Sequence, residues 1–238
     1  MVLATEAKNM TMANGEQFST GNHPVELFVP LLHLRNAGFD VEIVTPTGEP
    51  VALEMWAFPT EDAAVSAIRN ELEPDFEQPR RLVDVVAESF DEPGRYAAVF
   101  VPGGHGAMLG LPTDPNVGAL LRWAHDNGAF TISICHGPAA LLATALGGNE
   151  FLYEGYDMAV FPHVVDRQTP RIGYMPGHMP WPLSDTLEQS GARIVNTKAD
   201  ETVHVDRGLI TGASPRAANA LGELAATTLL DDARTSGW

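Results

Sequence analysis

Residues 130–138, Phe-Thr-Ile-Ser-Ile-Cys-His-Gly-Pro, constrain the fold more than any other stretch of the chain. The apolar, β-branched run 129–134 suits a strand buried on both faces, and Pro138, ahead of Ala139, Ala140, Leu141 and Leu142, can only open a helix. Cys135, the single cysteine, therefore stands at a strand-to-helix corner. An elbow of this kind needs small residues two before and two after its nucleophile, and Ser133 and Gly137 fill those positions. The backbone N–H groups that open the helix are expected to lower the thiol pKa.

Strands alternating with helices extend this corner into an α/β fold, a mostly parallel sheet with helices on both faces. Residues 1–4 and 41–45 read as strands. Residues 5–21, with Asn14-Gly15 and Thr20-Gly21 as turn signals, read as a surface loop. Between loop and second strand, Pro24 opens a helix that Pro30 should kink and Gly38 ends. A hairpin is expected over 51–58 and helices over 61–72 and 79–88, forming a small lobe at about 51–92 within one domain covering 1–238. A strand at 96–101 and a helix at 116–127 lead into the central strand. Short strands at 158–161, 193–196, 202–206 and 209–211 come next, the last two joined through Arg207-Gly208, and a final helix runs from Ser214 to about residue 230.

No run approaches the ~18 apolar residues of a membrane span, and residues 1–10 lack both the basic and the apolar parts of a secretory signal. A lone cysteine fits a reducing compartment. These features predict a soluble cytoplasmic protein that does not engage membranes. The formal charge of −17 excludes nucleic-acid binding by phosphate neutralisation and leaves a small neutral substrate unaffected.

His136 is the nearest base to Cys135, although a histidine there could also do no more than cap the turn. A base in a thiol site needs a third group on its far nitrogen, and Asp166, on a loop after the expected strand 158–161, is placed to supply it. The run Pro102-Gly103-Gly104-His105-Gly106 also ends a strand, on the same carboxyl edge as the elbow. Its glycines let the backbone N–H groups of Gly103 and Gly104 turn toward a developing oxyanion. It lacks the G-x-G-x-x-G spacing of a dinucleotide site. Glu26 lies in the first turn of the first helix, where it either complements the helix dipole or, if it points inward, holds a raised pKa beside the thiol. Eight histidines occur, but none in a zinc-ligand spacing and with no second cysteine, so neither metal nor organic cofactor is expected.

Four ordered motifs, Val101-Pro-Gly-Gly-His-Gly, Ile134-Cys-His-Gly-Pro-Ala-Ala, Gly173-Tyr-Met-Pro-Gly-His and Gly21-Asn-His-Pro-Val-Glu, resemble the HchA-type branch of the ThiJ/PfpI superfamily over essentially the whole chain. The resemblance implies a flavodoxin-like sandwich, a homodimer, and cofactor-free glyoxalase III or protein deglycase activity on small dicarbonyls. In some members it implies a stress-related holding chaperone. It also implies that Cys135 is the nucleophile, that His136 and Asp166 complete a triad, that Glu26 is the acid beside the sulfur, and that Gly103 and Gly104 with His136 receive the substrate. The chain departs from that pattern twice. The N-terminal extension of larger members is not seen, which bears on chaperone activity, and Arg35, Asp40 and Leu72 stand where those members bind a metal. A thiol amidase or peptidase of the same fold is the alternative reading of the same elbow.

Overall fold

The structure is a computed structural model, and it describes residues 1–89, 92 and 94–236. The first third of the chain holds β1 (Val2–Leu3), β2 (Asn9–Thr11), β3 (Gln17–Ser19), α1 (Pro24–Asn36), β4 (Ile43–Thr45), α2 (Ala63–Glu77), β5 (Arg80–Arg81) and α3 (Leu82–Ser89). The middle holds β6 (Ala98–Val101), α4 (Pro115–Asp126), β7 (Phe130–Ile134), β8 (Asp157–Met158) and α5 (His163–Asp166). The chain closes with α6 (Leu183–Gln189), β9 (Arg193–Ile194), β10 (Val203–Asp206), β11 (Leu209–Gly212) and α7 (Ala218–Ser236).

Seven strands form one sheet in the order β10-β11-β7-β6-β1-β4-β5, and only β10 runs antiparallel to its neighbour. The interior strands are covered on both faces, as their continuous apolar runs require. Along β6 the side chains alternate. Val99 and Val101 enter a core shared with Leu120 and Leu121 of α4, while Ala98 and Phe100 enter one shared with Leu27 and Leu31 of α1 and Leu221 of α7. Each fully buried side chain of this size contributes ~1.5–3 kcal/mol, so the two faces hold the sheet edges in register. Strand β1 pairs with β4 on one side and β6 on the other. The connections leaving β1 and β6 consequently diverge, and a crevice opens at the carboxyl ends of the strands.

Several local expectations need correction. Residues 5–21 are not plain loop: β2 and β3 form a hairpin around Asn14-Gly15, with Met10 opposite Phe18 and both rings of contacts turned inward. Only one apolar residue per strand is buried, too weak a period to read from sequence. Residues 51–58 form no hairpin. The Val51 N–H donates to Phe76 O, Leu53 bridges to Asn22, and Met55–Ala57 is a single 3-10 turn, so this segment is satisfied by its neighbours and not by itself. Helix α1 continues through Pro30. The helix after Cys135 is of 3-10 type, starts at Gly137 and breaks at Leu146 and Gly147. Strands β8 and β9 pair with each other outside the main sheet.

Within the stretch expected as a small lobe, β5 extends the main sheet beside β4, and α2 packs Phe76 against Phe28 of α1 at 5.4 Å between ring centres. Residues 90 and 91 of that stretch, and 93, 237 and 238 of the domain, lie outside the described residues. Among the described residues, no helix is long and apolar enough to cross a membrane.

Candidate functional site

Strand β7 leads into Cys135, whose φ of 60° is one of two positive values outside glycine among the described residues. A left-handed β-carbon costs energy that only a surrounding structure can impose, and here the flanks impose it. The Cys135 N–H donates to Gly212 O at 2.8 Å and its carbonyl accepts from the Phe161 N–H at 2.9 Å. A Cβ on Gly137 would meet Ser133 Oγ and Val101 O, each at 2.5 Å, and Ser133 Oγ donates to Val101 O at 3.0 Å. The small residues at 133 and 137 are thus demanded by contact.

The corner turns His136 into the same cavity as the sulfur, with Nδ1 3.2 Å from Cys135 Sγ. On its far side His136 Nε2 stands 2.9 Å from Asp166 Oδ2, at the end of α5. Asp166 accepts from the Nε2 hydrogen, which leaves the Nδ1 lone pair facing the sulfur. All three are shielded: Cys135 is 4% exposed, His136 0% and Asp166 1%. Phe161 stacks on His136 at 4.7 Å and holds its plane.

Glu26 projects from the first turn of α1 and is fully buried, so it is no solvated helix-start acid. Burial pushes its carboxyl up to about 8, an effect that the Cys135 thiol and the Gly104 N–H offset only in part. Neither Glu26 oxygen has a hydrogen-bond partner of good geometry. The thiol is raised too, first by burial and then by the charge and contact of Glu26. This overturns the expectation of a thiol lowered by the helix start. The 3-10 segment that opens at Gly137 does not outweigh the burial of the sulfur and the neighbouring Glu26 carboxyl.

Gly103 and Gly104 form the wall opposite. The Gly103 carbonyl accepts from the His23 N–H at 2.9 Å, and Gly104 has φ 102°, ψ 148°, a conformation essentially reserved for glycine. The Cys135 N–H is taken by Gly212, which leaves the glycine wall as the place for an oxyanion donor.

Two residues escaped the sequence reading. His105, on the turn after Gly104, lies with its ring centre 4.0 Å from that of His136 at a tilt of 38°, places Nε2 3.4 Å from Asp166 Oδ1, and turns Nδ1 to Glu54 Oε1 at 3.8 Å. Glu54 also accepts from the Thr20 hydroxyl at 2.7 Å. A histidine inside a glycine turn at a strand end was a visible signal for His105. Glu54, in an extended segment, gave none. Trp56, 56% exposed, and Tyr174 meet edge to face at 5.4 Å, beside His23 and Phe18.

His105, His136 and Asp166 are the one group among the described residues close enough to share a metal ion, but the atoms concerned already hydrogen-bond to one another. Arg35, at the position aligned with a metal ligand, pairs with Asp40 at 3.3 Å and Glu71 at 2.9 Å, and Leu72 is buried in apolar surroundings. A separate cavity of about 240 Å³ between Leu31, Phe100, Ile132 and Leu229 contains none of the site residues.

A profile of the DJ-1/PfpI family matches residues 18–152. The chain is 47% identical over 230 residues to protein/nucleic acid deglycase 1 of Escherichia coli strain K12, covering 97% of this chain and 80% of that one. Crystal structures with the same fold include the rapid encystment protein of 24 kDa from Francisella tularensis, with TM-score 0.78, 21% identity and coverage of 96% and 97% of the two chains. Another is glyoxalase III from Candida albicans, with TM-score 0.71, 19% identity and coverage of 94% and 95%.

Proposed function

Since the chain belongs to the DJ-1/PfpI family, we propose that its Cys135 site is that of a cofactor-independent glyoxalase of the glyoxalase III type that also removes early dicarbonyl adducts, as the names of its relatives suggest. The observation that carries this reading is the meeting of a buried thiol, a base 3.2 Å away oriented by a carboxylate, and a buried acid held neutral near pH 7.

The groups account for every proton. Cys135 Sγ adds to the aldehyde carbon of methylglyoxal, its hydrogen passing to His136 Nδ1, while neutral Glu26 protonates the former carbonyl oxygen to complete a hemithioacetal. The Glu26 carboxylate then takes the C1 hydrogen as a proton. The C1–H electrons form a C1=C2 bond, and the C2 oxygen takes the proton from His136 to give an enediol. Return of a proton from Glu26 to C2, with loss of the C1 hydroxyl proton to His136, leaves a lactoyl thioester on Cys135. Water attacks the thioester carbon and gives its proton to Glu26. The departing sulfur recovers its proton from His136, and lactic acid leaves and gives its carboxyl proton to solvent as lactate. One carbon is oxidised as its neighbour is reduced, so no external redox partner enters the balance. The N–H groups at Gly103 and Gly104 are the donors assigned to the oxyanions.

Attack on the hemithioacetal or aminocarbinol of an early adduct uses the same thiol and base. An extended peptide fits this site less well than a two- or three-carbon carbonyl compound, because the sulfur-bearing Cys135 is only 4% exposed and His136 and Glu26 are fully buried. We further propose that the protein acts as a cytoplasmic homodimer.

The test is methylglyoxal consumption and lactate formation without added glutathione, comparing wild type with Cys135→Ala and running casein or peptide amides on the same preparation. Turnover of methylglyoxal lost in Cys135→Ala supports the reading. Equal turnover by the variant, or cleavage of peptides with inertness toward dicarbonyls, would overturn it.

A further inference from the structure

His105 is a buried titratable group that the reaction above leaves unused. Each of its ring nitrogens faces a different carboxylate, Nε2 toward Asp166 Oδ1 at 3.4 Å and Nδ1 toward Glu54 Oε1 at 3.8 Å. A neutral imidazole has one hydrogen and could serve only one of the two, whereas an imidazolium serves both. Among the described residues, no lysine or arginine pairs with Asp166 or Glu54, which are 1% and 2% exposed. Two buried carboxylates with no cation between them would carry a large desolvation penalty. Glu54 grips the segment twice, since the His105 backbone N–H also points to Oε1 at 3.4 Å, and the Thr20 hydroxyl fixes the carboxylate from behind.

We propose that His105 is a positioning residue, a permanent imidazolium clamped between Asp166 and Glu54 that orients Asp166 and keeps the stacked His136 ring in its neutral, proton-accepting form. The proposal rests on the assignment of Cys135, His136 and Asp166 as the reacting relay. The electrostatics agree in direction. Burial alone would lower the basicity of His105, but its hydrogen bond to Asp166 and the Glu54 carboxylate 3.8 Å from Nδ1 outweigh that and raise it to about 9. His136 is lowered, by burial first and by the His105 charge second. Asp166 is held well below the usual carboxylate range despite burial, by His136 and His105 together. The other groups facing this ring are the Cys135 thiol, Glu26, His23 and Tyr174. None of them supplies a compensating positive charge, because Glu26 is held neutral and burial lowers His23.

A cation over the base matters because it sets when that base is lost to protonation. With His105 charged, the His136 ring 4.0 Å away resists taking a second proton from solvent, so the acid limb of activity lies at lower pH. His105→Gln removes the charge and keeps a polar side chain. Its acid limb in kcat/KM should move upward by about one pH unit, with kcat near neutrality down at least tenfold and KM changed less.

The deciding measurement uses wild-type protein and needs no turnover: histidine ring ¹⁵N shifts followed from pH 5.5 to 8.5. One of the eight imidazoles should keep both nitrogens protonated up to pH 8. That signal should vanish in His105→Gln and titrate at lower pH in Glu54→Gln, which serves if His105→Gln does not fold. Absence of a persistently doubly protonated ring in wild type overturns the proposal, as does a His105→Gln acid limb identical to wild type, read by activity or by pH-dependent iodoacetamide labelling of Cys135. Failure of methylglyoxal turnover alone would strike the reaction assignment and leave the ring protonation measurement standing.

Discussion

Glu26 and Cys135 meet beneath Gly103: a Cβ on that glycine would lie 1.9 Å from Glu26 Oε2 and 2.8 Å from the Cys135 Cβ. Acid and thiol come from two elements far apart in sequence, α1 and the end of β7, and the missing side chain between them lets the carboxyl reach the sulfur. Burial raises the proton affinity of both; Glu26 raises that of the thiol further, while the thiol pulls Glu26 back only in part.

Glu26→Gln should therefore separate chemistry from stability. The amide cannot return a proton to C2, and kcat should fall by ~10²-fold or more. The stability effect has the opposite sign. Glu26 has its folded pKa raised from 4.5 to about 8, so the folded state binds more protons than the unfolded one between those values, and wild-type stability declines as pH rises across that window. The glutamine variant lacks this decline. Its melting temperature should match or exceed wild type at pH 8 and show a smaller advantage at pH 5. Thiol labelling by iodoacetamide should shift to lower pH in the same variant, since the carboxylate that opposes thiolate formation is gone.

Asp166→Asn should lower kcat by ~10²–10⁴-fold while the fold persists. An asparagine amide can donate to His136 Nε2, and the ring then places its hydrogen on Nδ1, toward the sulfur, where an acceptor is needed. Ring ¹⁵N shifts would reveal the exchanged tautomer. Unchanged kcat with the exchanged tautomer would remove His136 as the base.

The two glycines of the wall should fail in different ways. Ala at 104 places a Cβ 2.3 Å from Gly21 O and 2.6 Å from His23 N, both backbone atoms, at φ 102°. Nothing there can move cheaply, and Gly104→Ala should cost about 3 kcal/mol or more in urea unfolding. At 103 the severest clash is with the Glu26 side chain, although Ile134 O at 2.6 Å adds to it. Gly103→Ala should lose turnover with a smaller shift of the unfolding midpoint than Gly104→Ala.

Chelation should leave turnover unchanged. The Arg35 guanidinium, paired with Asp40 and Glu71, and the buried Leu72 side chain offer no ligand set at the aligned metal position. Activity abolished by a chelator and restored by zinc would point instead to His105, His136 and Asp166 as ligands.

The elbow was legible because its requirements are local. A strand, a small residue on each side of the thiol and a proline two positions beyond His136 specify the corner wherever the rest of the chain lies. The same holds for the Pro102-Gly103-Gly104 turn and for Asn14-Gly15. Legibility fell where satisfaction came from a distant partner. Val51 bonds to Phe76 and Leu53 bridges to Asn22, so residues 51–58 carry no internal pattern of their own, and Glu54 within them looks like any extended-segment acid.

The sequence by itself determined that Cys135 sits at a strand end, that His136 follows it, that the sheet is mostly parallel, and that the formal charge is −17. Those properties depend on neighbours within a few residues, or on composition. Only the tertiary structure decided how the site is charged. Burial raised the thiol and Glu26 where a helix start had promised a low pKa, and the fold brought His105 between Asp166 and Glu54, a meeting that no spacing announced. Proton affinity is set by desolvation and by charges within a few ångströms, and those distances do not exist until the chain has folded.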